Sequence, residues 1–297
     1  MRYFKIMMKK FIIILVIVTA FSCKENKSES KVANTAEEVV KPEVKLYTFN
    51  GGTVLVNNLE LFSQDTTYHG QTKEFADPFY VISHPKGNLM WDAGLPEGLI
   101  AMGEPYTDPS GAFTVSRKDS VVNQLKSIGM SPSDIKYLAL SHTHFDHSGH
   151  ANVFKDATWL VQNTEFDFIT SEETQTNNSD IYNAIKELTN IQKLNGEYDV
   201  FGDGTVVIKS MPGHTTGHQV LYIDLAENGP VLLTGDLYHL YENREHRGVP
   251  IFNYNVEQTL NSMTEFEALA KEVNAKVYIQ HSKEDFNKMP KAPKYLK

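Results

Sequence analysis

His142, His144, Asp146 and His147 fall within six consecutive residues, His-Thr-His-Phe-Asp-His. Neutral imidazole nitrogen and carboxylate oxygen are both common zinc ligands. The cluster comes straight after an apolar run, Ile135 to Leu140, which reads as a buried strand. Groups of this kind, buried without partners, would cost on the order of several kcal/mol each. One bound metal ion would satisfy them together. A polar surface loop that happens to be His-rich is the plain alternative, and four candidate ligands in six residues weigh against it.

Three further candidates stand farther along the chain, each just past an apolar run. His214 follows the strand expected from Thr205 to Met211. Asp236 follows Val231 to Thr234, and His281 ends Val277 to Gln280. Strand ends in α/β proteins project into loops on one rim, where sites are built. Four such ends meeting there would bring seven candidate ligands to one place.

The elements that must carry them follow from periodicity. Lys45 to Phe49 and Thr53 to Val56 are expected as two strands around a Gly51-Gly52 turn. Phe79 to Ile82 and Leu89 to Trp91 are expected as a hairpin turning at Pro85 to Asn88. Between these pairs, Gln64 to Asp77 is expected as a long polar loop. Helices are expected at Ser120 to Ile128, stopped by Gly129, and at Asp180 to Leu188. A longer one, Val256 to Val273, sets Leu260, Met263, Phe266 and Leu269 on one face. Asp156 to Gln162 and Val220 to Leu225 complete the strands.

The first 22 residues belong to a different class. Arg2, Lys5, Lys9 and Lys10 precede an apolar stretch, Phe11 to Phe21, which is short for a membrane span. Ala20-Phe21-Ser22-Cys23 follows, resembling a bacterial lipoprotein signal peptide, with Phe21 larger than the usual residue. Cys23 is the only cysteine, so disulfides within the chain and cysteine nucleophiles are excluded, and an acylated N-terminus is expected. Residues 23–43, rich in Lys, Glu, Ser and Asn, read as a flexible tether. The expected location is therefore outside the cytoplasm, lipid-anchored in the cell envelope or released. Residues 44–297 are expected as one domain. With the four basic residues of the leader removed, the formal charge moves from −9 to −13. So acidic a surface argues against nucleic acid as a partner.

The order of these sites resembles the metallo-β-lactamase superfamily, over most of the chain from the early hairpins to His281. The segments Ser141 to Gly149, Pro212 to Gln219 and Thr234 to Tyr238 are similar to those of its N-acyl-homoserine lactonases. The resemblance implies a four-layered αββα sandwich with a dinuclear zinc site at the rim between the sheets. It implies that His142, His144 and His214 hold one ion, that Asp146, His147 and His281 hold the other, and that Asp236 bridges them. Two histidines one residue apart on an extended turn point the same way, which agrees with that division. Two such ions stand roughly 3.5–4 Å apart and make a shared hydroxide available near neutral pH. The implied reaction is attack of that hydroxide on a lactone carbonyl, with Asp146 passing a proton to the leaving oxygen.

Family members often carry a Tyr three residues after the bridging Asp as donor to the substrate carbonyl. Here Tyr238 comes two residues after Asp236, and His239 holds the third place, so either is a candidate. His150 also stands where Gly is usual. Asp92 and His218 are expected to support the ligands rather than bind metal. His69, His84, His239 and His246 have no ligand-like spacing. Leu61, Phe62, Tyr68, Phe75, Met102, Tyr106 and Phe113 are candidates for an acyl-chain groove, with ordinary packing the plainer reading of each. Alternatives are a hydrolase of another lactone, ester or thioester, a metal-binding lipoprotein without turnover, or a diiron oxidoreductase. The last tends to use Glu where this chain has His144.

Overall fold

Apolar residues run nearly unbroken along the central strands, as in Phe79 to Ile82 and Trp159 to Val161, and both faces of those strands find cover. The computed structural model describes residues 41–297. The leader at 1–22, Cys23 and all but the last three residues of the tether at 23–43 lie outside the described residues. In chain order the strands are β1 Lys45–Val56, β2 Lys73–His84, β3 Gly87–Trp91, β4 Tyr106–Thr107, β5 Phe113–Ser116, β6 Ile135–Ala139 and β7 Thr158–Gln162. They continue with β8 Ile191–Leu194, β9 Tyr198–Asp199, β10 Val206–Ser210, β11 Gln219–Leu225, β12 Gly229–Leu233, β13 Lys276–Tyr278 and β14 Tyr295–Leu296.

One sheet runs β4-β5-β1-β2-β3-β6-β7-β8, with β14 also paired to β1; the other runs β13-β12-β11-β10-β9. Leu46, Ile82, Leu89, Trp91 and Leu160 of the first sheet meet Ile208, Leu221, Ile223 and Leu233 of the second in a shared core. The residues between them in sequence point the other way. Val81, Met90, Leu138 and Trp159 pack under Val121, Leu125, Ile169 and Ile185 of the outer helices. Val220 and Leu232 pack on Met263 and Phe266 of the helix Val256–Glu272. The period of two along each strand thus builds helix, sheet, sheet and helix layers, the αββα sandwich.

Three expectations need correction. Lys45 to Val56 is one strand, not two around a turn: Gly51-Gly52 sits in a bulge, where Asn50 Oδ1 accepts from Gly52 N at 3.0 Å. Lys73 to Asp77 belongs to β2 instead of a loop. The chain also continues past the expected last strand, through the helix Lys283–Lys288, to β14 on β1. The helix Val256–Glu272 matches expectation within a residue, and Gly129 ends Val121–Ile128 in a left-handed conformation. No helix among the described residues is long and apolar enough to cross a membrane.

Candidate metal centre

β3, β6 and β7 run parallel in one sheet, and β12 and β13 run parallel in the other. Their C-terminal ends open on one rim, and β10 ends there too. The seven expected residues all meet there. His142 Nε2 lies 2.8 Å from His144 Nδ1, and His214 Nε2 lies 3.1 Å from the same atom. Asp236 Oδ2 faces this trio, 3.4 Å from His214 Nε2 and 3.6 Å from His142 Nε2. The other oxygen, Oδ1, faces a second set: 3.2 Å from His147 Nε2 and 3.0 Å from His281 Nε2. Asp146 completes that set, 3.8 Å from each of these two nitrogens. One carboxylate therefore presents one oxygen to each of two donor sets.

A divalent metal fits these residues. Burial, with His147 and His144 next, holds His142 well below its ordinary value, and burial with His214 does the same to His144. Both are therefore neutral at pH 7, and their facing nitrogens have one shared proton at most. Nitrogens held about 2 Å from a tetrahedral ion stand roughly 3.3 Å apart, close to the spacing seen. Buried His147 Nε2 and Asp236 Oδ1 have no hydrogen-bond partner, as an ion's ligands would have none without it. The opposite ring nitrogens are already committed. His281 Nδ1 donates to Ala76 O at 2.9 Å, and His147 Nδ1 faces Asp92 Oδ2 at 3.1 Å. Each bond holds its ring with Nε2 turned to the centre, the nitrogen an ion would take.

The metallo-β-lactamase superfamily model matches residues 78–281. The chain belongs to the metallo-β-lactamase superfamily. An N-acyl homoserine lactonase, AttM, from Azorhizobium caulinodans is 30% identical over 269 residues, covering 85% of this chain and 98% of that protein. A Bacillus thuringiensis N-acyl homoserine lactonase, AiiA, is 27% identical over 256 residues with the same coverage. A solved N-acyl homoserine lactone hydrolase, with N-hexanoyl-L-homoserine bound at its catalytic metal centre, superposes with a TM-score of 0.71 at 27% identity, over 85% of this chain and 98% of that one. Within the superfamily the chain is a hydrolase of the N-acyl homoserine lactonase group.

The rim of this metallo-β-lactamase fold is braced by residues that do not face the centre. Asp92 ends β3 with a positive φ of 59°. From there Oδ1 accepts from Ser141 N at 2.6 Å while Oδ2 reaches His147. That strained backbone is held by what the side chain does. His218 Nδ1 donates to Met211 O, so its Nε2 accepts from Asp236 N at 2.9 Å and fixes the bridging residue's backbone. Burial takes His218 down to about 3, so it stays neutral there. Gly235, at φ 50°, must be Gly: a Cβ would lie 2.7 Å from His218 Nε2 and from Ser141 Cβ.

Glu165 went unremarked in the sequence. It is buried in the helix Asn163–Ile169 and clamps two ligand loops together. Oε1 accepts from Thr143 N at 3.1 Å and Thr143 Oγ1 at 2.7 Å. Oε2 accepts from Thr216 Oγ1 at 3.1 Å and Gly217 N at 2.9 Å. Its only local signal is a Glu three residues after an expected strand. The clamp itself depends on Gly217, 52 positions away.

Tyr238 and His239 part company. Tyr238 is buried against Phe266, and its hydroxyl donates to Glu267 Oε1 at 3.0 Å, away from the metal centre. His239, given no ligand-like role by spacing, lines the cavity with Nε2 3.0 Å from Asp236 Oδ2 and its ring stacked on His281. Burial lowers it to about 4. The cavity over the centre holds about 550 Å3. Its walls include Leu61, Phe62, Phe75 and Phe113 from the expected groove, joined by Phe252. Met102 and Tyr106 line a neighbouring cavity, and Tyr68 is buried in core packing. His150 is not at the centre: its Nε2 faces Glu97 at 3.1 Å.

Proposed function

We propose that this hydrolase opens the lactone ring of N-acyl-homoserine lactones at a centre of two zinc ions. The observation that carries this reading is the split of Asp236 between two donor sets at the floor of an apolar cavity. His142, His144 and His214 would hold one ion, Asp146, His147 and His281 the other, and Asp236 both. When bound, the pair supplies Lewis acidity and a water that ionises near neutral pH.

The chain's own groups do the rest. The aromatic walls of the cavity take an uncharged acyl chain and leave the lactone at the polar floor. Asp146, less deeply buried than its partners, accepts the proton of the attacking water and returns it to the ring oxygen as the C–O bond breaks. The products are one carboxylate and one hydroxyl on a single N-acyl-homoserine. Asp236 is kept ionised: burial opposes its charge, and the neighbouring His147 and His281 outweigh that and hold it well below the usual carboxylate range. Of the two candidate donors to the carbonyl, only His239 reaches the reacting volume.

The same reading takes residues 1–22 as a lipoprotein-type signal, Cys23 as the acylated N-terminus and 23–43 as the tether of an exported catalytic domain, 44–297. The substrate is then a diffusing signal met outside the cytoplasm. The test is a metal analysis coupled to a substrate panel. Two equivalents of zinc, and turnover of homoserine lactones well above simple lactones and thioesters, are expected. Preference for a thioester would overturn the substrate assignment.

A further inference from the structure

Eleven large apolar side chains are exposed among the described residues, and six of them gather around the mouth of the cavity over the metal centre. Phe145 and Phe252 belong to its walls. Ile251 N donates to Leu61 O at 2.9 Å, and Leu61 is itself a wall residue. Tyr254 N donates to His214 O at 3.0 Å, and the Phe168 ring lies 6.5 Å from the Tyr254 ring. Val256 begins the helix that follows. Ile251 and Tyr254 are 56% and 61% exposed, yet their segment is firmly held. Asn255 N and Asn253 Nδ2 both donate to Gly213 O at 2.8 Å. Val249 to Val256 carries no charge, so polar groups engaged with the His214 loop lie beneath an apolar outer face.

A patch of this kind marks contact with lipid or with another protein. Its place decides between them. A second copy seated on this rim would close the cavity to substrate. A bilayer over the same rim would not, because an amphipathic substrate dissolves in it and reaches the mouth from within the lipid. The N-terminal sequence agrees. As a flexible tether, residues 23–43 span about 25 Å on average and roughly 70 Å at full extension. That lets a domain roughly 45 Å across turn any face to the bilayer holding Cys23. Held so close, the patch needs only weak affinity of its own.

We propose that this rim docks on the phospholipid bilayer, with Phe168, Ile251 and Tyr254 entering the headgroup boundary and the cavity mouth opening onto the lipid. This rests on the lipoprotein reading of residues 1–43. Aromatic and aliphatic side chains suit that boundary, and so acidic a domain favours zwitterionic headgroups over anionic ones.

Trp91 and Trp159 are fully buried, so a tryptophan placed on the rim reports alone. The probe is the acylated full chain in phosphatidylcholine vesicles with brominated acyl chains. Tyr254→Trp and Phe168→Trp are expected to show a blue-shifted emission that bromine quenches, and Ile251→Asp added to either should abolish the quenching. In plain vesicles, Ile251→Asp should slow opening of lipid-dissolved N-dodecanoyl-homoserine lactone about tenfold or more, the loss of one buried aliphatic side chain. N-butanoyl-homoserine lactone, which stays in water, should be opened at the wild-type rate. Unquenched Tyr254→Trp emission, or opening of the lipid-dissolved substrate that ignores Ile251→Asp, would overturn the proposal. Unquenched emission that shifts with protein concentration would give the face to a second copy. Quenching by added vesicles in a chain whose Cys23 carries no lipid by mass spectrometry would support docking and overturn the anchor reading alone.

Discussion

Glu165→Gln tests whether the two ligand loops are held by one buried carboxylate. The carboxylate accepts four hydrogen bonds, two from Thr143 and two from Thr216 and Gly217. An amide of the same shape keeps one accepting oxygen and turns an NH2 group to the other side. The hydroxyl on that side can rotate, but the backbone N–H cannot, so one buried N–H loses its acceptor. With the loss of charge assistance for the remaining bonds, the cost is about 2–4 kcal/mol. For a domain of this size that is roughly a 5–15 °C fall in Tm. The loosened loop carries His142 and His144 or His214, so zinc affinity at that set should fall about 10–100-fold, the usual effect of losing a group that orients ligands. Thermal melts of the metal-free protein and chelator competition of the loaded one measure the two effects separately. A Gln variant with wild-type Tm and wild-type zinc affinity would refute the clamp.

Other expectations follow from the same geometry. Tyr238→Phe removes only the bond to Glu267, so it should cost about 1 kcal/mol of stability and leave kcat intact; a tenfold loss of turnover at full metal content would show that the hydroxyl reaches substrate. Asp92→Asn should lower zinc affinity at the His147 set by about 10–100-fold, read as an altered visible spectrum of the cobalt-substituted enzyme; an unchanged spectrum and affinity would count against it. Burial lowers His84, lowers His150 to about 4 and lowers His218 to about 3. Below their unfolded value of about 6.5 the unfolded chain binds protons that the folded one refuses. The metal-free protein should thus lose stability as pH falls from about 6.5 toward 3, and a Tm flat across that range would contradict the assignment of these histidines as neutral.

The metal cluster was legible because its ligand types are dense and the runs before them are visibly apolar. The strands were legible for a related reason: runs buried on both faces, such as Phe79 to Ile82, leave little room for another periodicity, while their stacking into αββα layers was implied only by the family resemblance. What escaped depends on contacts between distant residues. Gly51-Gly52 carries turn chemistry, yet β2 pairs across it and turns the pair into a bulge. Lys73 and Glu74 look like loop, but β1 supplies their hydrogen bonds and solvent accepts their side chains. Tyr238 and His239 are neighbours, and counting from Asp236 does not say which faces the cavity. The short helical turn Gly235–Leu237 decides that, sending Tyr238 toward the helix Val256–Glu272 and His239 inward. Glu165 had no motif at all, since a lone acid on a short helix is ordinarily a surface residue.

The central claim is that Asp236 lies between two ions, each held by its own set of side chains. Anomalous diffraction from crystals of the zinc-loaded protein, collected at the zinc edge, tests it most directly. Two peaks are expected, one within bonding distance of His142, His144 and His214, the other of Asp146, His147 and His281, each in reach of a different Asp236 oxygen. A single peak, or a pair with Asp236 bound to neither, would contradict the account.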